Sequence, residues 1–359
     1  MTVDRPSRSG AEPVTSRASA RRHAALALAA RALPVVLIAG SVVGLLTLVH
    51  RLGFESIGAV LSQVTAGQFI LICAIHGASV LADTLGWRYV FPRDGQPPFR
   101  RLLAARCAGE AVNVVTALGS VGGEATKAWL LRRETPYAAS VPSLILAKTS
   151  LVVAQAGLLG AGILVAWLTG IGGPRLLLAM GSLLLVEVIA VGGFLTVQVV
   201  GVIGHAGRVL AWTGAKGLNQ ARQLDGALRG FYRREWRAFL VSVGFHFAGW
   251  LIGAVEALVI LSSLGLPASL PDALVIEALG SGVRFATFYV PASLGPLEGA
   301  NAAAFTAFGW AASTGLAFTL VRRARQAVWI GVGVTILVAM DAPRLLAGRS
   351  LRPVPSGGN

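Results

Sequence analysis

Ser120-Val121-Gly122-Gly123-Glu124 and Ser293-Leu294-Gly295-Pro296-Leu297-Glu298 are two versions of one polar pattern, each beside a long apolar segment and each carrying one carboxylate. A basic residue follows each Glu at the same distance, Lys148 after Glu124 and Arg322 after Glu298. Broken, charged segments in matching positions of two halves are the sequence sign of a transporter-type site at a repeat interface. The chemistry available is recognition of a charged headgroup. Lys148, Arg284, Arg322 and Arg323 would neutralise a phosphate or another anion, the arginines by bidentate contact. Glu124 and Glu298 would hold those cations while the site is empty, or bind a proton or a cationic group. Ser120 and Ser293 open the two patterns, and Gly122, Gly123, Pro291, Gly295 and Pro296 break the chain so that backbone N–H groups and a short helix end face a ligand. His246 and Glu256 are further candidates, and Arg325 is read as structural. The competing reading is fixed internal ion pairing, strongest for Asp83 and Glu187, because charged side chains inside spans commonly face each other. Catalytic patterns are weak. No nucleophile motif, P-loop or pair of histidines at metal-ligand spacing occurs, so no enzyme activity, metal or cofactor is expected.

These residues need a membrane scaffold. The 359-residue chain is 55% hydrophobic and only 13% charged, a composition foreign to soluble domains. Six apolar stretches read as full spans: Leu33–His50, Phe69–Phe91, Val141–Leu168, Leu176–Val200, Ala238–Leu264 and Thr314–Met340. The net charge of +15 lies in loops, so it reads as a positive-inside signal and not as nucleic-acid binding. The basic segments are the tail before residue 32, then 92–106, 127–133, 201–237 and the C-terminal tail. Both termini and the long loop are therefore expected in the cytoplasm of a bacterial inner membrane. Because Leu102–Leu118 has basic flanks on both sides, it is expected to enter and return on one side as a re-entrant hairpin. Ala273–Tyr289, the break 291–296 and Gly299–Ala312 read as a second hairpin entering from the other side, since Pro291 and Pro296 do not fit a helix interior. The expected fold is all-α and polytopic, a 3+3 inverted repeat with two re-entrant hairpins and six to eight spans. Its parts are a basic tail 1–31, a membrane domain 32–345 divided into halves 32–170 and 174–345, and a C-terminal tail 346–359. Within loop 201–237, Leu210, Gly214, Leu218, Ala221, Leu224, Leu228 and Phe231 share one helical face. That face fits an interfacial helix on an anionic membrane surface; a solvated basic connector fits as well.

Gly122-Gly123-Glu124-Ala125-Thr126-Lys127-Ala128 with Leu130-Leu131, together with Pro291–Gly299, resemble the two signatures of the flippase-like membrane domain of lysylphosphatidylglycerol synthases and their standalone relatives. His246–Glu256 and Leu320–Arg325 resemble the branch associated with hopanoid biosynthesis. The resemblance spans about residues 30–345. It implies a multispanning inner-membrane protein that moves polar lipids, here a hopanoid or another envelope lipid such as a phospholipid, with lipid-biosynthesis enzymes as partners. It also implies a standalone form, because no aminoacyl-transfer domain follows the membrane segments. The family often has an acidic residue near 147–152, where this chain carries Lys148. The functional expectation is lipid translocation. The alternatives are a membrane-embedded enzyme or accessory subunit of lipid biosynthesis, and a small-solute or ion transporter.

Overall fold

The computed structural model describes residues 54–92, 95–115, 120–200 and 214–346. Leu33–His50, the expected first span, lies outside them, as do both tails. The described residues are helical and contain no strand. In chain order the helices are α1 (Phe54–Leu61), α2 (Ala66–Tyr89), α3 (Phe99–Val115), α4 (Ser120–Leu131), α5 (Tyr137–Thr169), α6 (Gly173–Val200), α7 (Gly214–Arg234), α8 (Trp236–Ser263), α9 (Leu270–Ala286), α10 (Pro296–Ala307) and α11 (Ala312–Leu346). Five of them, α2, α5, α6, α8 and α11, are long and apolar enough to cross a membrane. They coincide with the last five expected spans. Large apolar side chains such as Ile70, Trp167, Leu178 and Ile189 are exposed on them, which suits lipid contact and would be a liability in water.

The caps explain several starts. Thr65 accepts from the Gln68 N–H while the Gln68 side chain accepts from Thr65 N–H, a reciprocal cap at α2. Ser269 and Asp272 do the same for α9. Pro296 starts α10, where its missing N–H costs nothing.

The two motif regions are helical hairpins. α3 and α9 are both 17 residues long, and the returning arms α4 and α10 are both 12. At 1.5 Å per residue these arms reach about 26 and 18 Å, short of a hydrocarbon core of roughly 30 Å. Leu102 near the start of α3 and Leu130 and Leu131 at the end of α4 share a buried cluster with Trp87, Val90 and Phe91 at the end of α2. Ala273 and Ile276 of α9 and Phe305 of α10 instead share a cluster with Ile72 near the start of α2. The hairpins therefore open toward opposite ends of the bundle.

α2 and α8 pack closely along one another and run antiparallel: Tyr89 stacks on Phe245, with ring centres 5.3 Å apart, while His76 lies against Glu256. Each hairpin's longer arm crosses to a span of the other half, α3 against α11 and α9 against α5. Small residues permit this. Gly162 of α5 faces Ala278 of α9, and Gly333 of α11 faces the Cys107 backbone and Ala111 of α3.

Two expectations need correction. Helix α7 forms within loop 201–237 as the periodicity predicts, but the described part of its apolar face, from Leu224 to Phe231, is covered by protein; Leu210 and the side chain of Leu218 lie outside the described residues. Leu228 is buried, and Leu224, Phe231 and Tyr232 pack on the same cluster as Leu130 and Leu144. Arg106 and Lys127, counted above as cytoplasmic loop charge, are instead mostly buried within the hairpin α3–α4, at 13% and 4% exposure.

Candidate functional site

A cavity of about 780 Å³ lies between the two hairpins and the spans that clasp them. Its charged lining comes from both halves: Asp83, Arg106, Glu110 and Lys148 from the first, Glu256, Glu277, Arg284, Arg322, Arg323 and Arg325 from the second. Ala190, Val191 and Phe194 of α6, with Phe285 and Phe288 at the end of α9, form an apolar wall. Phe194 and Phe288 are also among the exposed large apolar side chains.

In the first half, α3 and α4 present their charges to each other. Gly123 N–H donates to the Asn113 side-chain oxygen at 2.8 Å and ties the arms near the tip. One turn from Glu124 on the same helix, Lys127 Nζ donates to Glu124 at 2.8 Å and to Glu110 on α3 at 3.0 Å. Asp83 on α2 accepts from Arg106 at 2.7 Å, and its other oxygen lies 2.9 Å from His246 Nδ1 on α8. Lys127 and Arg106 were thus missed as site residues. Their positions among loop charges masked them, although the Glu124–Lys127 spacing of three is the standard helical pair.

The second half is denser. Glu277 on α9 sits between Arg284 at 2.9 Å and Arg322 at 2.5 Å. Glu256 on α8 accepts from Arg325 at 2.6 Å, with Arg322 and His76 at 3.7 and 3.6 Å. Arg323 reaches one Glu298 oxygen with Nε and Nη2, at 3.0 and 2.8 Å, and the Ala292 carbonyl at 2.8 Å. The second Glu298 oxygen accepts Gly295 N–H at 2.7 Å, capping α10. Between the helices Ala292 and Ser293 both have positive φ, 51° and 49°, without being glycine. Such backbone costs on the order of 1–3 kcal/mol per residue and persists where surroundings impose it. Here Arg323 grips the Ala292 carbonyl, and Ser293 Oγ accepts from Thr287 at 3.0 Å.

Most of the expected site residues come together here. Lys148, Arg284, Arg322, Arg323, Ser293 and Glu256 line the cavity. Glu124 and His246 line a smaller annex that shares Arg106, Glu110 and Lys148 with it. Glu298 is buried directly behind Arg323. Pro291, Gly295 and Pro296 lie at the break of the second hairpin, whereas Gly122 and Gly123, expected to break the chain, are in the first turn of α4, and the side chain of Ser120 falls outside the described residues. Of the expected pairings, Glu298 with Arg323 is present, and the others change. Glu124 holds Lys127 and not Lys148, and the carboxylate that meets Arg323 is Glu298, while Arg322 belongs to Glu277 and Glu256. Arg325, read as structural, is a cavity residue. Among the described residues Lys148 has no carboxylate within 4 Å. Three arginines (284, 322 and 325) share two carboxylates, so this side of the cavity carries surplus positive charge.

Fold and site define a multi-pass α-helical membrane protein with a charged internal cavity between two opposed hairpins. The family described as the lysylphosphatidylglycerol synthase TM region matches residues 25–334, and the chain belongs to that family. No curated protein and no solved structure matches the chain. Family membership ties the protein to membrane lipid.

Proposed function

We propose that the protein moves a polar lipid between membrane leaflets, with the headgroup in the cavity and the apolar tails outside it. The observation that carries this reading is the cavity itself: room of about 780 Å³, one charged side and one apolar wall at the bundle surface. That volume is in the range of small-molecule sites and takes a headgroup, not a whole lipid. Lys148 and the Arg284–Arg322–Arg325 group favour an anionic group such as a phosphate. The tails would leave past Phe194 and Phe288. A hopanoid with a polar headgroup and a phospholipid both meet this description. The two hairpin halves act as a 3+3 inverted repeat, and rocking of one against the other exposes the cavity alternately. The setting is a bacterial inner membrane, with both termini and α7 in the cytoplasm.

Proteoliposomes with a headgroup-labelled phospholipid test this. Glu124→Gln and Glu298→Gln each lower the rate of leaflet exchange about tenfold, equivalent to roughly 1.4 kcal/mol, while the protein stays folded and inserted. Wild-type rates in both variants would refute the site assignment.

A further inference from the structure

Glu187 is a charged-type residue within a membrane-length helix that the cavity network does not use. It lies near the middle of α6, is fully buried, and neither of its carboxyl oxygens has a hydrogen-bond partner. Sequence reasoning favoured an ion pair for it, but no cation approaches within 4 Å among the described residues. The groups on the surrounding elements do not reach it. They include Tyr137 and Lys148 on α5, Asp272, Glu277 and Arg284 on α9, Glu298 on α10, and Arg222, Asp225, Arg229, Tyr232, Arg233 and Arg234 on α7. Arg175, on α6 itself, is exposed three turns away.

Its position along α6 is informative. On the N-terminal side, Leu176 and Met180 are sealed into a dry cluster with Leu158, Leu159, Val275 and Ala278. On the C-terminal side Ala190, Val191 and Phe194 line the cavity. Spacings of three, four, seven and eleven put these residues on the Glu187 face. Glu187 therefore stands where the cavity's apolar wall ends and close packing begins. An ionised carboxylate with neither cation nor donor is costly at such a place, whereas the neutral acid is tolerated. Motion of α6 that admitted cavity water would let the proton leave.

We propose that Glu187 is a proton-binding site reached from the cavity, and that proton binding and release there is linked to the lipid movement proposed above. The linkage rests on that reading; the proton site does not. The bound species is a proton alone, exchanged with water, and no bond other than O–H forms or breaks.

Two measurements separate the claims. Infrared difference spectra of the purified, membrane-reconstituted protein, taken between acid and alkaline buffer, show a protonated-carboxyl band that disappears on the alkaline side and is missing in Glu187→Gln. Glutamine keeps the shape of the neutral acid, so this variant folds. If wild type and Glu187→Gln give the same carboxyl spectrum, the proton site is overturned. In the second measurement, proteoliposomes carry the labelled phospholipid with and without an imposed pH gradient. The gradient changes the wild-type exchange rate several-fold, and the ratio falls to about one in Glu187→Gln. An equal response in both overturns the linkage. A titrating band without any wild-type lipid exchange overturns the lipid reading and the linkage and leaves the proton site standing.

Discussion

Lys127 and Lys148 show how differently two lysines of one half are used. Lys127 is 4% exposed and neutralises Glu110 and Glu124 together. Removing one member of a buried ion pair leaves an uncompensated charge and typically costs 3–5 kcal/mol. Because Glu110 faces the cavity and is half exposed, Lys127→Met falls at the lower end, about 3 kcal/mol. A clear drop in melting temperature of the detergent-solubilised protein is expected, and an unchanged one would contradict the pairing. Lys148 has no such role. Lys148→Gln changes stability by no more than about 0.5 kcal/mol, as for residues that satisfy no partner, but slows exchange of an anionic lipid. If it melts much lower, its ammonium is structural and the proposed headgroup contact loses its basis. The charged residues of the site were legible one by one in the sequence. Their partners were not, because Glu124 has basic residues both three and 24 positions downstream and only packing selects the nearer.

At the level of elements, the hairpins were the most informative prediction. Basic flanks on both sides of Leu102–Leu118 required it to return, and Pro291 and Pro296 required a break in the second region. The observed arms match in length between the halves and open toward opposite ends. The close approach of α3 to α4 depends on Gly123, where an added Cβ would run into the Asn113 side chain and the Gly109 carbonyl. Gly123→Ala is expected to cost about 1–3 kcal/mol, as overpacking does, and to raise protease sensitivity at the hairpin tip. Wild-type melting and cleavage would show that the hairpin is looser than this contact implies. The helix α7 was foreseen from its periodicity, but not what covers its apolar face, since a stripe of Leu and Phe reads the same against lipid as against protein.

For the molecule as a whole, the question is whether one half moves against the other. Ser150 on α5 and Ser242 on α8 belong to different halves, and their hydroxyl oxygens are 2.7 Å apart and buried. Cysteines at both positions, with Cys73 and Cys107 replaced by serine, come close enough for a disulfide of about 2.05 Å after small adjustment. Oxidation is expected to stop lipid exchange and reductant to restore it. Full exchange by the oxidised protein, with the bond verified by mass spectrometry, would exclude rocking between these helices.

Composition, apolar run length and loop charge by themselves determined the membrane setting, the five helices long and apolar enough to cross a membrane and the places where the two hairpins turn, because each depends on local hydrophobicity and local backbone restriction. The tertiary structure decided which charges meet. It turned Arg106, Lys127 and Arg325 from apparent loop or structural residues into cavity chemistry, left Lys148 without a carboxylate in ion-pair reach, and isolated Glu187. Ion pairing is a matter of a few ångströms between helices distant in sequence, such as Glu277 with Arg322 and Asp83 with His246, and no spacing along one chain encodes it.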